Sequence, residues 1–307
     1  MKQLYYSFPQ YLKDTFGRKL YKVALETGMT CPNRDGKVAV GGCIFCGEGG
    51  SGDFTIYYEG KRLSREELIY NHQEIPKGDY IAYFQSFTNT YAPIAKLREI
   101  FTAALQDDLF AGISIATRPD CLGEDVISLL KELKANYTNK FIWVELGLQT
   151  IHESTAKWMN RGYSLEVFDE AVKNLKAINI DVIVHIIIGL LGEDQKMLLE
   201  TIQHLNACSI DGVKLQLLHY LKNTRLGVQY LSNPSQYHVL EMDEYVELVT
   251  ECIAYLDEHI VIHRLTGDGN ADELIAPRWS IDKRRVLNSI NHMLKRKNYT
   301  QGCKLLK

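Results

Sequence analysis

Six apolar runs rich in β-branched residues punctuate this 307-residue chain, at Leu20–Leu25, Tyr80–Gln85, Gly112–Thr117, Phe141–Gln149, Ile180–Ile188 and Gly212–His219. After the first, they recur every 30 to 40 residues or so. Helix-period segments fall between them, at Arg65–His72, Pro93–Asp107, Glu124–Asn136, Leu165–Ile178 and Asp194–Asn206, with another at Asp243–Glu258. This alternation constrains the fold more than any other feature. Each strand returns parallel to its predecessor, and right-handed crossovers then leave a doubly wound sheet or a barrel. Ile180–Ile188 is almost continuously apolar, as a strand covered on both faces should be. Six units are too few for an eight-fold barrel, so a partial, open barrel is a third solution. His259–Leu265 could add a seventh strand.

Ser64 and Glu67 have capping-box spacing and mark the start of the Arg65–His72 helix. Val286, Ile290, Met293 and Leu294 recur at helical spacing in Ile281–Lys297, which predicts a closing helix. Residues 1–265 read as an α/β core with an N-terminal lead-in, and 266–307 as a basic extension packed on it. Apolar residues make up 46% of the chain and charged residues 24%, which excludes global disorder. The longest apolar stretch, Ile180–Gly192, contains Asp181 and His185 and is shorter than the roughly 20 residues a membrane span requires. The start, MKQLYYSFPQY, lacks the apolar core of a secretory signal, so a cytoplasmic protein with no membrane partner is expected.

Charge is uneven. From Arg278 onward nine basic residues face one acidic residue, a net +8 that leaves −11 for the rest of the chain. Such asymmetry fits either a nucleic-acid surface or a solvated helix face. Lys283, Arg284 and Arg285 open the closing helix and Lys295, Arg296 and Lys297 end it, about three turns apart, so they can form one charged ridge.

Seven cysteines, an odd number in a chain of this size, do not read as a disulfide framework. Cys31, Cys43 and Cys46 cluster as C-x11-C-x2-C directly after the first strand, where α/β barrels place their chemistry. Three thiolates can hold three irons of a [4Fe–4S] cluster and leave the fourth open. Structural zinc is the alternative, but it normally needs four protein ligands, and the nearest other candidates are His72 and Cys121. The glycine-rich stretch Gly47–Asp53 lacks the strand and lysine of a phosphate-binding loop. Arg118 and Asp120 are either a site contact or a local ion pair. His185 reads as a hydrogen-bonded core histidine or a base, and Asp268, Asp272 and Trp279 could line the barrel's open side.

The cysteine loop, with Phe45 before its last cysteine, resembles that of the radical S-adenosylmethionine (SAM) superfamily. TGMTCPNRDG, GGCIFCGEGGSGDF, YFQSFTNTYAP, TRPDC, VELGLQT, NRGYS and IIIGLLGE look like its bacterial branch related to the catalytic subunit of Elongator, here without the acetyltransferase domain. The resemblance implies a partial (β/α)6 TIM-like barrel with a C-terminal helical extension. It implies a [4Fe–4S] cluster on Cys31, Cys43 and Cys46, with SAM on the open iron. One-electron cleavage of SAM then gives a 5′-deoxyadenosyl radical. Glu145, Gln149 and Arg161 are expected toward the SAM methionine or ribose, with Ile187 and Gly189 beside adenine. Gln85, Ser86 and Asn89 stand where many members bind the SAM amine through a glycine-glycine-glutamate motif. Leu191 replaces a proline common in the family. The implied substrate is tRNA, at C5 of a wobble uridine or its side group, with flavodoxin or ferredoxin as electron donor. A small metabolite or a protein side chain is the alternative substrate, and a zinc-stabilised nucleic-acid-binding module the alternative to an enzyme.

Overall fold

Seven parallel strands lie side by side in chain order: β1 (Leu20–Glu26), β2 (Asp79–Phe84), β3 (Phe110–Thr117), β4 (Phe141–Gln149), β5 (Asp181–Ile188), β6 (Gly212–Leu217) and β7 (Val261–Arg264). The computed structural model describes residues 3–47, 49–50, 55–70, 73–74, 78–267 and 270–305. Ile56–Tyr57 pairs parallel outside β1 and makes the sheet eight-stranded. Ile56–Tyr57 and β7 are its two edges, so the barrel is open, and a bridge from Ser7 to Ile262 covers part of the β7 edge. The helices are α1 (Phe8–Phe16), α2 (Ile94–Gln106), α3 (Glu124–Asn136), α4 (Glu153–Trp158), α5 (Leu165–Ala177), α6 (Gln195–Ala207), α7 (Arg225–Ser232), α8 (Met242–Tyr255) and α9 (Lys283–Lys297). None is long and apolar enough to cross a membrane.

Strand β5 shows how the sequence builds the layers. Val182, Val184, Ile186 and Ile188 point outward into the core beneath the helices. The alternate residues line the interior: Ile183 joins an aromatic plug, His185 a polar layer, and Ile187 an apolar cluster. The continuous apolar run is therefore two faces with different duties. Opposite it, α2 buries Leu97, Ile100, Phe101, Ala104 and Leu105, a stripe at helical spacing, each large side chain contributing about 1.5–3 kcal/mol. The N-terminal end of the barrel is stoppered by α1. Phe8, Tyr11, Leu12 and Phe16 pack against Leu20, Ile81, Trp143 and Ile183, with Phe8 stacked on His263 at 4.4 Å.

The expected helix at Arg65–His72 is not formed. One 3-10 turn spans Arg65–Glu67, and Ile69–Tyr70 then pairs antiparallel with Gln73–Glu74; His72 lies outside the described residues. The Ser64 N–H does donate to the Glu67 carboxylate at 2.7 Å. A single turn is too costly a nucleus when Ile69 and Tyr70 favour a strand. In the C-terminal segment α9 buries Val286, Ile290 and Leu294, and Leu274–Ala276 pairs with Tyr220–Leu221.

Candidate active site at the barrel mouth

Cys31, Cys43 and Cys46 lie in the loop that leaves the top of β1, each half-buried. The loop is held by hydrogen bonds from distant elements. Asn33, fully buried, donates through Nδ2 to the Asn160 carbonyl at 2.6 Å and to Cys43 Sγ at 3.6 Å. Asn160 Nδ2 returns a bond to the Gly42 carbonyl at 2.8 Å, and Arg225 of α7 donates to the same oxygen. Ile44 and Leu226 complete the link: the Ile44 N–H donates to Met159 O at 3.0 Å, and the Leu226 N–H to Ile44 O at 2.8 Å. Gly162 has φ +83°, and a Cβ there would stand 2.7 Å from Asn33 Oδ1, so glycine is required beside the loop. The NRG segment is thus a buttress of the cysteine loop.

Arginines surround the thiols. Arg34 donates to the Cys46 and Gly47 carbonyls. Arg118 grips Asp120 with two bonds of 2.9 and 2.7 Å and donates to the Arg161 carbonyl at 2.9 Å, so the local ion pair is formed. The Cys46 thiol, hydrogen-bonded to Cys43, brings the Cys43 thiol down to about 7 against the opposing effect of burial, and Arg118, Asn33 and Arg34 add to the shift. The same hydrogen bond and burial push the Cys46 thiol well above its usual range, so the field favours one thiolate of the pair, on Cys43, the form that binds iron. Three cysteines suit a [4Fe–4S] cluster, which takes three thiolates and leaves its fourth iron open, whereas a closed zinc site takes four protein ligands.

The residues expected around SAM divide into two groups. Arg161 is fully buried and holds backbone: its guanidinium donates to the carbonyls of Tyr163 (3.0 Å), Leu148 (3.0 Å) and Thr150 (2.7 Å) and pairs with Glu153 at 3.0 Å. Only one N–H is left over, so it is a strut and not an open carboxylate clamp. Asn89 is likewise engaged, its Nδ2 within 3.0 Å of the carbonyls of Phe84, Ser86 and Ala116. Glu145 lies mid-strand inside the barrel, not at the strand end. Gln149 sits in a bulge at φ +64° with Tyr163 Oη 3.4 Å from its Oε1. The second group stays at the mouth. Ser86 is buried, and its hydroxyl has no hydrogen-bond partner among the described residues. Gln85 directly precedes it. Ile187 and Gly189 line a cavity of about 330 Å³ with Glu193 and Leu240. Glu48 and Ser51–Asp53 of the glycine-rich loop, and Asp268, lie outside the described residues. Asp272 and Trp279 are described, and Trp279 Nε1 donates to Leu240 O at 2.9 Å.

Deeper in the barrel is a polar layer in which His185 is the hydrogen-bonded core histidine the sequence offered, and whose lysines sequence patterning missed. Glu145 Oε1 accepts from Lys22 at 2.6 Å and from Ser114 at 2.7 Å, and Oε2 meets His185 Nε2 at 2.7 Å and Lys214 Nζ. Burial alone would raise the Glu145 carboxyl, but Lys214, Lys22 and His185 hold it well below the usual carboxylate range. Burial, aided by Lys214, pushes His185 down to about 4. The available signal was a lysine inside each apolar run, Lys22 in LYKVALE and Lys214 in GVKLQL.

The radical SAM family model matches residues 26–205, and the radical SAM C-terminal domain model matches 210–296. The chain belongs to the radical SAM superfamily. Members of the superfamily use a [4Fe–4S] cluster and SAM, and these are the cofactors of this radical SAM protein. It is 43% identical over 300 residues to YtqA of Bacillus subtilis, covering 97% of this chain and 92% of YtqA. Elongator complex protein 3 of Schizosaccharomyces pombe is 24% identical over 312 residues, covering 84% of this chain and 56% of that protein, in keeping with an Elongator-like branch. In fold, the chain is similar to Elp3 of the archaeon Methanocaldococcus infernus, with TM-score 0.66 and 16% identity over 92% of this chain and 65% of that one.

Proposed function

We propose that this radical SAM protein modifies tRNA, at C5 of a wobble uridine or at the group that carbon carries. The observation that carries the reading is the similarity to Elongator complex protein 3 across 84% of the chain. Exposed arginines on α9 support it: Arg284, Arg285 and Arg296 stand with His292 along a groove of about 910 Å³ between α8 and α9, which Asp243, Glu247 and Asp282 also line. Phosphate contacts from such a face add affinity and position the RNA without reading bases. Lys297, expected on this ridge, turns inward instead to Glu247 and Glu251, the latter at 2.9 Å.

Cys31, Cys43 and Cys46 would hold three irons, with Ser86 and Gln85 placed for the polar end of SAM and Ile187 and Gly189 for its adenine. When bound, the cofactors supply reductive cleavage of a C–S bond and a carbon-centred radical. Arg34 and Arg225 fix the loop that holds them, Arg118 fixes the NRG segment that buttresses it, and the apolar cluster of Ile44, Met159, Leu190 and Leu226 keeps water from its flank. A flavodoxin or ferredoxin would supply the electron. Mass spectrometry of tRNA nucleosides from cells with and without the gene tests the reading. A wobble-uridine derivative should disappear and its precursor accumulate. Identical nucleoside profiles would move the substrate to a small metabolite or a protein side chain.

A further inference from the structure

Lys22 and Lys214 place two ammonium groups on one carboxylate, Glu145, and neither touches a second carboxylate among the described residues. Lys214 is 3% exposed and Glu145 not at all, and Arg264 on β7 adds its positive field to Lys214. Burial, with Lys22 and Arg264 nearby, pushes the Lys214 ammonium well below its usual range, a strain that loss of its proton or the arrival of a further anion relieves. The part of the layer that solvent reaches is on Lys22 (19% exposed) and His185 (20%). Below them the Phe8, Tyr11 and Trp143 plug closes the barrel, and the Phe8 ring centroid lies 5.3 Å from Lys22 Nζ. That access therefore comes from the mouth. Lys22 stands four residues before the end of β1, about 13 Å below the strand top from which the cysteine loop departs.

We propose that this barrel floor is a seat for a compact oxyanion, a carboxylate on the substrate, with Lys22 and Lys214 as its donors and Glu145 as the internal anion that holds both ammonium groups in register. The seat already accommodates one carboxylate, that of Glu145, between the same two groups. Tyr83 frames it, its ring 4.6 Å from each ammonium nitrogen and its hydroxyl 3.1 Å from Lys214 Nζ. The proposal rests on the radical SAM assignment and deepens the substrate reading: the anionic end of the substrate is anchored at the floor, and its reacting carbon lies above, toward the cysteine loop.

Isothermal titration of the reconstituted, SAM-loaded protein with two matched pairs tests it. The first pair is 5-carboxymethyluridine and its neutral amide, 5-carbamoylmethyluridine; the second is glutarate and glutaramide. The acid of at least one pair should bind about tenfold or more tighter than its amide, the scale of charge-assisted hydrogen bonds. Lys22→Met and Lys214→Met should each remove that preference while iron content and affinity for the amide stay unchanged. Acid and amide binding alike in both pairs to the unsubstituted protein would overturn the seat, as would an acid preference that survives both substitutions. A lysine-dependent preference for glutarate alone would keep the seat, and together with identical tRNA nucleoside profiles it would overturn the RNA reading.

Discussion

The barrel uses different cations at its two depths. At the mouth they are arginines. Arg34, Arg118, Arg161 and Arg225 all aim donors at backbone carbonyls and so fix the path of the loops. In the interior two lysines, Lys22 and Lys214, gather on the side chain of Glu145, with Arg264 beside Lys214 on β7. A planar fork of five donors holds several oxygens in fixed directions, which suits a frame. A single ammonium on a flexible stem can swing to a new partner, which suits a place where ligands come and go. The difference would separate a rigid frame from the floor proposed above to receive the substrate.

The largest effect should come from the frame. Arg161→Met strips the donors from three carbonyls and takes the cation from Glu153, which keeps the Leu165 N–H. It should cost about 3–5 kcal/mol in urea unfolding, because buried carbonyls left short of a donor cost about 1–3 kcal/mol each. Arg161→Lys should recover little, because one ammonium cannot reach Tyr163, Leu148 and Thr150 together. Full stability in the lysine variant would erase the distinction between frame and floor.

The interior should announce itself through pH. His185 titrates at about 4 in the folded protein against an ordinary 6.5. Between those values the unfolded chain takes up a proton that the folded one refuses, so stability is full above pH 6.5 and falls as pH drops toward 4. The loss should amount to about 2–3 kcal/mol. His185→Gln should flatten this part of the stability curve; an unchanged slope would place the titration elsewhere, with His263, whose pKa is also lowered by burial, the first alternative.

The smallest contrast lies on α9. Replacing Arg284, Arg285 and Arg296 by Ala should weaken tRNA binding across sequences and reduce the salt slope by roughly 0.7 to 0.9 for each phosphate that the face no longer neutralises. Lys297→Ala should leave that slope alone and cost stability by about 1 kcal/mol or less, since its partners are Glu247 and Glu251. A salt slope that responds to Lys297 and not to the three arginines would reverse the assignment of faces.

The frame was far more legible in sequence than the floor. Strand and helix order follows from local periodicity, and the cysteine loop from three residues close together, so both could be read from short windows. The expected seventh strand is present at Val261–Arg264. The floor depends on pairs separated by 123 residues (Lys22 with Glu145) and by 69 (Lys214 with Glu145), so no window contains both partners. Glu145 was therefore expected at the strand end, toward SAM. Arg161 was expected there too, because its partners are carbonyls on neighbouring loops, and carbonyls leave no mark in a sequence. The Arg65–His72 helix failed for the opposite reason: its capping signal was local and real, but the residues after it favour strand.

The most direct test of the central claim is the chemistry of Cys31, Cys43 and Cys46. Anaerobically reconstituted, reduced protein should contain four irons and four sulfides per chain and form 5′-deoxyadenosine from SAM slowly even without substrate. Ala at any one of the three cysteines should abolish that formation, whereas Ala at Cys121, Cys208, Cys252 or Cys303 should not. One zinc per chain with no iron, or SAM cleavage that persists when all three are replaced, would contradict the account.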